Sequence, residues 1–72
     1  MTKLRQLEQI EGMSAEEMVQ EELFGDSAGI PGICMNKGCD YTTICEPDAR
    51  RNYCEECQTN SVASAAVLMG II

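Results

Sequence analysis

In the first third of the chain, apolar residues stand at helical spacing in a polar background. Leu4, Leu7 and Ile10 recur every three residues, and Gly12 ends the run. A second helix is expected to start at once. Ser14 is a candidate N-cap, Glu17 completes a capping box three residues on, and Met13 and Met18 occupy the two positions of a hydrophobic staple. Met18, Val19 and Leu23 then form an inner stripe, with Glu16, Glu17, Glu21 and Glu22 on the solvent side and Gly25 as the stop. From Gly25 to Pro31 the residues are the Gly, Ser, Asp and Pro of a linker.

Beyond Pro31 the pattern changes. From Gln58 to Ile72 there is no charged residue. Ser61–Met69 is expected to be a small-residue helix, with Asn60 and Ser61 as caps, Gly70 as the break, and Ile71 and Ile72 as an apolar end. The stretch is too short to cross a bilayer, which takes about 20 apolar residues. A helix apolar on nearly every side must be buried, so it is expected to pack against Leu4, Leu7, Ile10, Met18 and Leu23. Whatever stays uncovered among Val67, Leu68, Met69, Ile71 and Ile72 would serve self-association or a protein partner. The chain thus divides into an acidic N-terminal helical segment (1–26), a linker (27–33) and a cysteine-bearing domain (34–72).

A chain of 72 residues with no Trp, one Phe and two Tyr has few large side chains with which to build a core. Domains this small usually carry a staple, and here the means at hand is five cysteines. An odd number leaves one thiol over in any disulfide scheme, whereas four thiolates on a metal plus one spare thiol is a consistent arithmetic. Met1 to Gln20 is charged and helical in pattern, without the apolar core or cleavage site of a secretory signal, so a reducing cytoplasm is expected.

Cys54-Glu55-Glu56-Cys57 has the C-x2-C spacing that aims two thiolates at one tetrahedral metal, and Cys34 to Cys39 makes a C-x4-C loop with Gly38 placed for positive φ. Fourteen residues separate the pairs. They are expected to form a hairpin, with Asp40–Cys45 as one strand, Glu46–Ala49 as the turn and Arg50–Tyr53 returning. Knuckle, hairpin and knuckle is the plan of zinc ribbons and treble clefs, and a helix directly after the second pair favours the treble clef. The expected fold is therefore a small metal-stabilised α+β domain, N-terminal helices followed by a zinc-ribbon or treble-clef hairpin and a C-terminal helix. One Zn²⁺ on Cys34, Cys39, Cys54 and Cys57 is the expected cofactor, with a single iron as the alternative. Cys45 reads as a small buried hydrophobe, and its replacing Cys39 as a ligand is the alternative.

Nothing points to catalysis. There is no His, no Ser or Cys beside a base, and no phosphate-binding loop. Glutamates flanking Cys54 and Cys57 would raise a thiol pKa, which argues against a redox pair.

The formal charge is −7, with two basic and seven acidic side chains in residues 1–26. Four thiolates and one Zn²⁺ would take it to roughly −9. Such a protein is repelled by phosphate backbones, so generic nucleic-acid binding is disfavoured, no membrane is expected, and the expected partner is a protein with a basic surface or an apolar groove. The rival class, a nucleic-acid or transcription-complex binder, would use Lys37, Arg50 and Arg51. A virion or assembly component is a third class.

Several segments together resemble a known group: Gly32-Ile33-Cys34-Met35-Asn36, Gly38 to Thr43, Glu46-Pro47-Asp48, Cys54 to Cys57, Thr59 to Val62 and Val67 to Ile72. They are similar to very short four-cysteine zinc-ribbon proteins of phage and bacterial genomes. The resemblance covers about 40 residues; it implies the fold, the four ligands and a phage origin with host cytoplasm or virion as location, carries no known activity, and leaves the function open. A weaker likeness, in Gly29-Ile30-Pro31, Ala49-Arg50-Arg51 and Cys54 to Gln58, is to the zinc fingers of DksA/TraR-type regulators, which bind RNA polymerase.

Overall fold

The computed structural model describes residues 2–24 and 29–70. Helix α1 (Lys3–Glu11) begins where Thr2 Oγ1 accepts the Arg5 N–H at 3.2 Å and ends where Gly12, at φ +71°, donates to Glu8 O at 2.9 Å. Helix α2 (Ala15–Phe24) starts as its sequence predicts: Ser14 Oγ accepts the Glu17 N–H at 3.2 Å and donates to the Glu17 carboxylate at 3.3 Å. A carboxylate oxygen of Glu8 accepts the Ala15 N–H at 2.8 Å, so α1 supplies a second cap to α2 and fixes the angle between them. The expected stop at Gly25, the inward Leu23 side chain and the apolar end Ile71–Ile72 lie outside the described residues.

Four strands follow, β1 (Ile30–Cys34), β2 (Thr42–Cys45), β3 (Asn52–Cys54) and β4 (Thr59–Ser64), and then the short helix α3 (Ala65–Leu68). The sheet is antiparallel throughout, in the order β2-β1-β4-β3. Three expectations change here.

First, β2 and β3 exist but do not pair. They lie at opposite edges of the sheet, because each knuckle turns the chain back on its own preceding strand, joining β1 to β2 and β3 to β4. Second, the segment 27–33 contributes the central strand β1 from Ile30 onward. Pro31 is tolerated because the β1–β4 ladder begins only at Gly32, opposite Ser64, leaving Pro31 a strand neighbour on one side. Gly32 answers a close approach: a Cβ there would stand 2.6 Å from Cys45 Sγ and 2.8 Å from Ala63 O. Third, the C-terminal helix is short. Thr59–Ser64 is a strand flanked by β1 and β3, and Ser64 caps α3 by accepting the Val67 N–H at 3.2 Å. With β4 between Cys57 and α3, no helix follows the second cysteine pair directly.

Ser64 is fully buried and fully used. Its N–H donates to Ala49 O at 2.9 Å and its hydroxyl donates to Pro47 O, pinning the crossing that carries the chain from β2 to β3.

The helices pack against the central strands β1 and β4. Leu7, Met18, Val19, Ile30, Ile33, Ala65 and Ala66 form the core there, with Met13, Leu68 and Met69 packed around it. Ile10, expected inside, is 46% exposed. Among the described residues no helix is long and apolar enough to cross a membrane.

Candidate metal centre

Cys34 closes β1 and Cys54 closes β3, and these strands flank β4 from opposite sides with Cys34 opposite Val62 and Cys54 opposite Thr59. Both knuckles therefore rise from the same end of the sheet. In the first, Cys34 N–H donates to Tyr41 O at 2.9 Å, Cys39 N–H donates to Asn36 O at 3.1 Å, and Gly38 turns the loop at φ +85°. In the second, Gln58 N–H donates to Cys54 O at 2.7 Å while Gln58 sits at φ +57°, a left-handed position held by a residue other than glycine. The Cys57 N–H points at Cys54 Sγ, 3.4 Å away.

The four sulfurs of Cys34, Cys39, Cys54 and Cys57 lie within 4.8 Å of one another. The close pairs run across the hairpins, Cys34 to Cys57 at 3.9 Å and Cys39 to Cys54 at 3.8 Å. A tetrahedral ion with metal–sulfur bonds near 2.3 Å needs sulfurs about 3.8 Å apart. Cys34 and Cys54 are fully buried, and Cys39 and Cys57 form the partly exposed side. The residues present fit a metal, and the structure brings together the four cysteines that their spacing in the sequence singled out.

Cys45 stands apart. It is buried at the far end of β2, opposite Ile30, with its thiol directed at Ile30 O at 3.6 Å. Lys37 is exposed on the first knuckle, and Arg50 and Arg51 are exposed on the crossing between β2 and β3.

The electrostatics of the cluster suit a cation. Burial opposes ionisation of Cys34, but the Ser61 hydroxyl, the Asn36 N–H and the thiols of Cys54 and Cys39 outweigh it and lower the group to about 7. At Cys39 the Tyr41 N–H favours the thiolate, yet burial and the sulfurs of Cys57, Cys34 and Cys54 overcome it and push the thiol up to about 12. Burial also pushes Cys54 up, assisted by the Cys34 sulfur and resisted by the Cys57 N–H, the Cys39 thiol and the Glu56 N–H. One thiolate is thus accessible near neutrality, while burial, with the adjacent sulfurs, holds Cys39 and Cys54 protonated. A central dication removes that conflict, since a coordinating thiol loses its proton outright.

Four contacts around the cluster had no signal in the spacing of the cysteines. Ser61 Oγ lies 3.2 Å from Cys34 Sγ, and Asn36 and Thr59 hydrogen-bond to Ser61 in turn. The Lys3 ammonium donates to Cys39 O and ties α1 to the first knuckle. Thr59 and Ser61 alternate as strand neighbours do, a signal that reading the segment around Ser61 as helix concealed.

Comparison of the chain with family models, curated proteins and solved structures finds no match.

Proposed function

We propose that this chain is a small non-catalytic zinc protein, with one Zn²⁺ on Cys34, Cys39, Cys54 and Cys57, that works as a protein–protein interaction or regulatory module. The observation that carries the metal reading is the pair of cross-hairpin sulfur spacings, 3.9 and 3.8 Å. An all-thiolate tetrahedron favours zinc, with iron as the competing ion. Four protein ligands fill a tetrahedral ion and leave no position for water or substrate, the pattern of structural rather than catalytic zinc. The open hollow beside the crossing, lined by Ile44, Cys45, Glu46, Ala49 and Asn52, offers one carboxylate and a thiol already engaged by a carbonyl, which is poor equipment for acid–base or nucleophilic work.

Two knuckle-tipped hairpins sharing one sheet favour a zinc ribbon over a treble clef. The resemblance to short phage and bacterial zinc-ribbon proteins runs through the same knuckles, and a phage origin belongs to this proposal.

The interaction reading rests on charge and exposure. The chain carries a formal −7, Glu11, Glu16 and Glu17 are exposed on α1 and α2, and Ile10, next to Glu11, is 46% exposed. An acidic helical surface with an apolar member suits a basic protein partner.

Native mass spectrometry should report one zinc per chain. A disulfide-bonded chain without metal, or one carrying iron, overturns the zinc assignment. Gel-shift at low salt tests the role: tight, salt-sensitive binding to DNA or RNA would replace the protein-contact reading with one built on Lys37, Arg50 and Arg51.

A further inference from the structure

We propose that Ser61 is a positioning residue for the bound metal: its hydroxyl donates to the Cys34 thiolate, and Thr59 and Asn36 hold it in that orientation. This rests on the metal reading above. A metal-ligating cysteine carries no proton, so its sulfur can only accept hydrogen bonds. With Ser61 Oγ 3.2 Å from Cys34 Sγ, the hydroxyl proton must point at the sulfur once the metal is bound.

The rest of the network follows from that one direction. Ser61 Oγ keeps two lone pairs, and two donors reach them, the Thr59 hydroxyl at 3.0 Å and Asn36 Nδ2 at 3.3 Å. Asn36 Nδ2 also lies 3.2 Å from Thr59 Oγ1, which has given its own proton to Ser61 and accepts there. Each proton in the chain is directed toward Cys34. The opposite sense, Ser61 donating to Thr59, would turn an oxygen lone pair on the thiolate.

Placement gives the network its purpose. Thr59 and Ser61 are two residues apart on β4 and project from one face of the sheet, while Asn36 belongs to the first knuckle. A backbone bond from Met35 N–H to Ser61 O, 2.7 Å, holds loop and strand in register. The strand leaving the second knuckle therefore polarises a ligand of the first, and partners of this kind fix ligand orientation and spread thiolate charge where four thiolates share one dication.

The test uses the full chain with Zn²⁺ and with Co²⁺ as a spectroscopic stand-in. Ser61→Ala should lower zinc affinity about tenfold or more in competition with a chelator. It should also move the sulfur-to-cobalt charge-transfer absorption to longer wavelength, because a thiolate without its hydrogen bond gives up charge more readily. Ser61→Thr keeps the hydroxyl and should restore both values. Thr59→Val and Asn36→Ala, at exposed positions, should move the band the same way by less. Unchanged affinity and an unchanged band in S61A, with the unaltered chain binding Co²⁺, overturn this proposal alone. An unaltered chain that takes up neither ion overturns the metal reading with it. If S61A does not fold, the other two variants decide, and an unmoved band in both overturns the proposal.

Discussion

Ile30 and Ile33 of β1 lie among Leu7, Met18, Val19, Ala65 and Ala66, in a cluster built with the three helices. The next residue, Cys34, is buried instead with Cys54 and Val62, and Cys39, Tyr41 and Cys57 pack against them. The first cluster is aliphatic, and each large side chain in it contributes about 1.5–3 kcal/mol by leaving water. The second contains a single large aliphatic residue, Val62, and its buried thiols resist joint ionisation. A chain this short lacks the apolar residues to build both clusters alike: one is held by hydrophobic burial, and the other gathers four cysteines that could hold an ion.

The most forceful way to break this contrast is to remove the metal. Binding of structural zinc in small metallo-domains is worth about 10–16 kcal/mol at neutral pH, more than any one side chain here. Chelation should abolish hydrogen-exchange protection at Cys34, Cys54 and Val62 while the amides of α1 keep theirs longer. Simultaneous loss in both clusters would show that they fold as one unit.

Acid should act in the same direction. Zinc must displace protons from Cys39, raised to about 12, and from Cys54, also raised, throughout the neutral range, and increasingly from Cys34 below about 7. The holo form is therefore favoured at high pH and lost as pH falls, with a steeper slope below 7. A zinc affinity that does not change across that range contradicts the cluster's electrostatics.

Leu7→Ala probes the helical cluster. Leu7 is fully buried, and its truncation should cost about 2–5 kcal/mol in denaturant unfolding with zinc affinity nearly unchanged. A parallel fall in affinity would mean that α1 reaches the metal through Lys3 and the Cys39 carbonyl.

Gly32→Ala probes the approach of the central strands. The thiol of Cys45 can turn aside from the new methyl, but the Ala63 carbonyl belongs to the β4 backbone, so a loss of about 1–3 kcal/mol is expected as a lower unfolding midpoint. Wild-type stability in G32A would show that the two central strands can part without cost.

The smallest effect should come from Cys45→Ser, where a hydroxyl can still donate to Ile30 O: about 1 kcal/mol of stability, with metal stoichiometry intact. Loss of the metal in this variant would make Cys45 a ligand.

What the residues alone made legible were features set within a turn or two of chain. The stop at Gly12, the Ser14–Glu17 cap and the grouping of Cys54 with Cys57 and of Cys34 with Cys39 depend on local sterics, capping and ligand reach. Strand pairing was not legible. Residues 27–33 looked like a linker because Pro and Gly mark turns, yet Gly32 is there for the approach of Cys45 and Ala63, which no local window contains. The uncharged run after Gln58 fitted a helix as well as a buried strand, since short apolar runs do not distinguish the two. The fold settled it by setting β1 and β3 on either side of β4, where the segment's backbone groups find ladder partners. The contacts of Lys3 with Cys39, and of Ser61 with Cys34 and Asn36, join residues 25 to 36 positions apart. Bonds of that span exist only after the sheet has closed, because nothing in either partner's neighbourhood along the chain encodes the other.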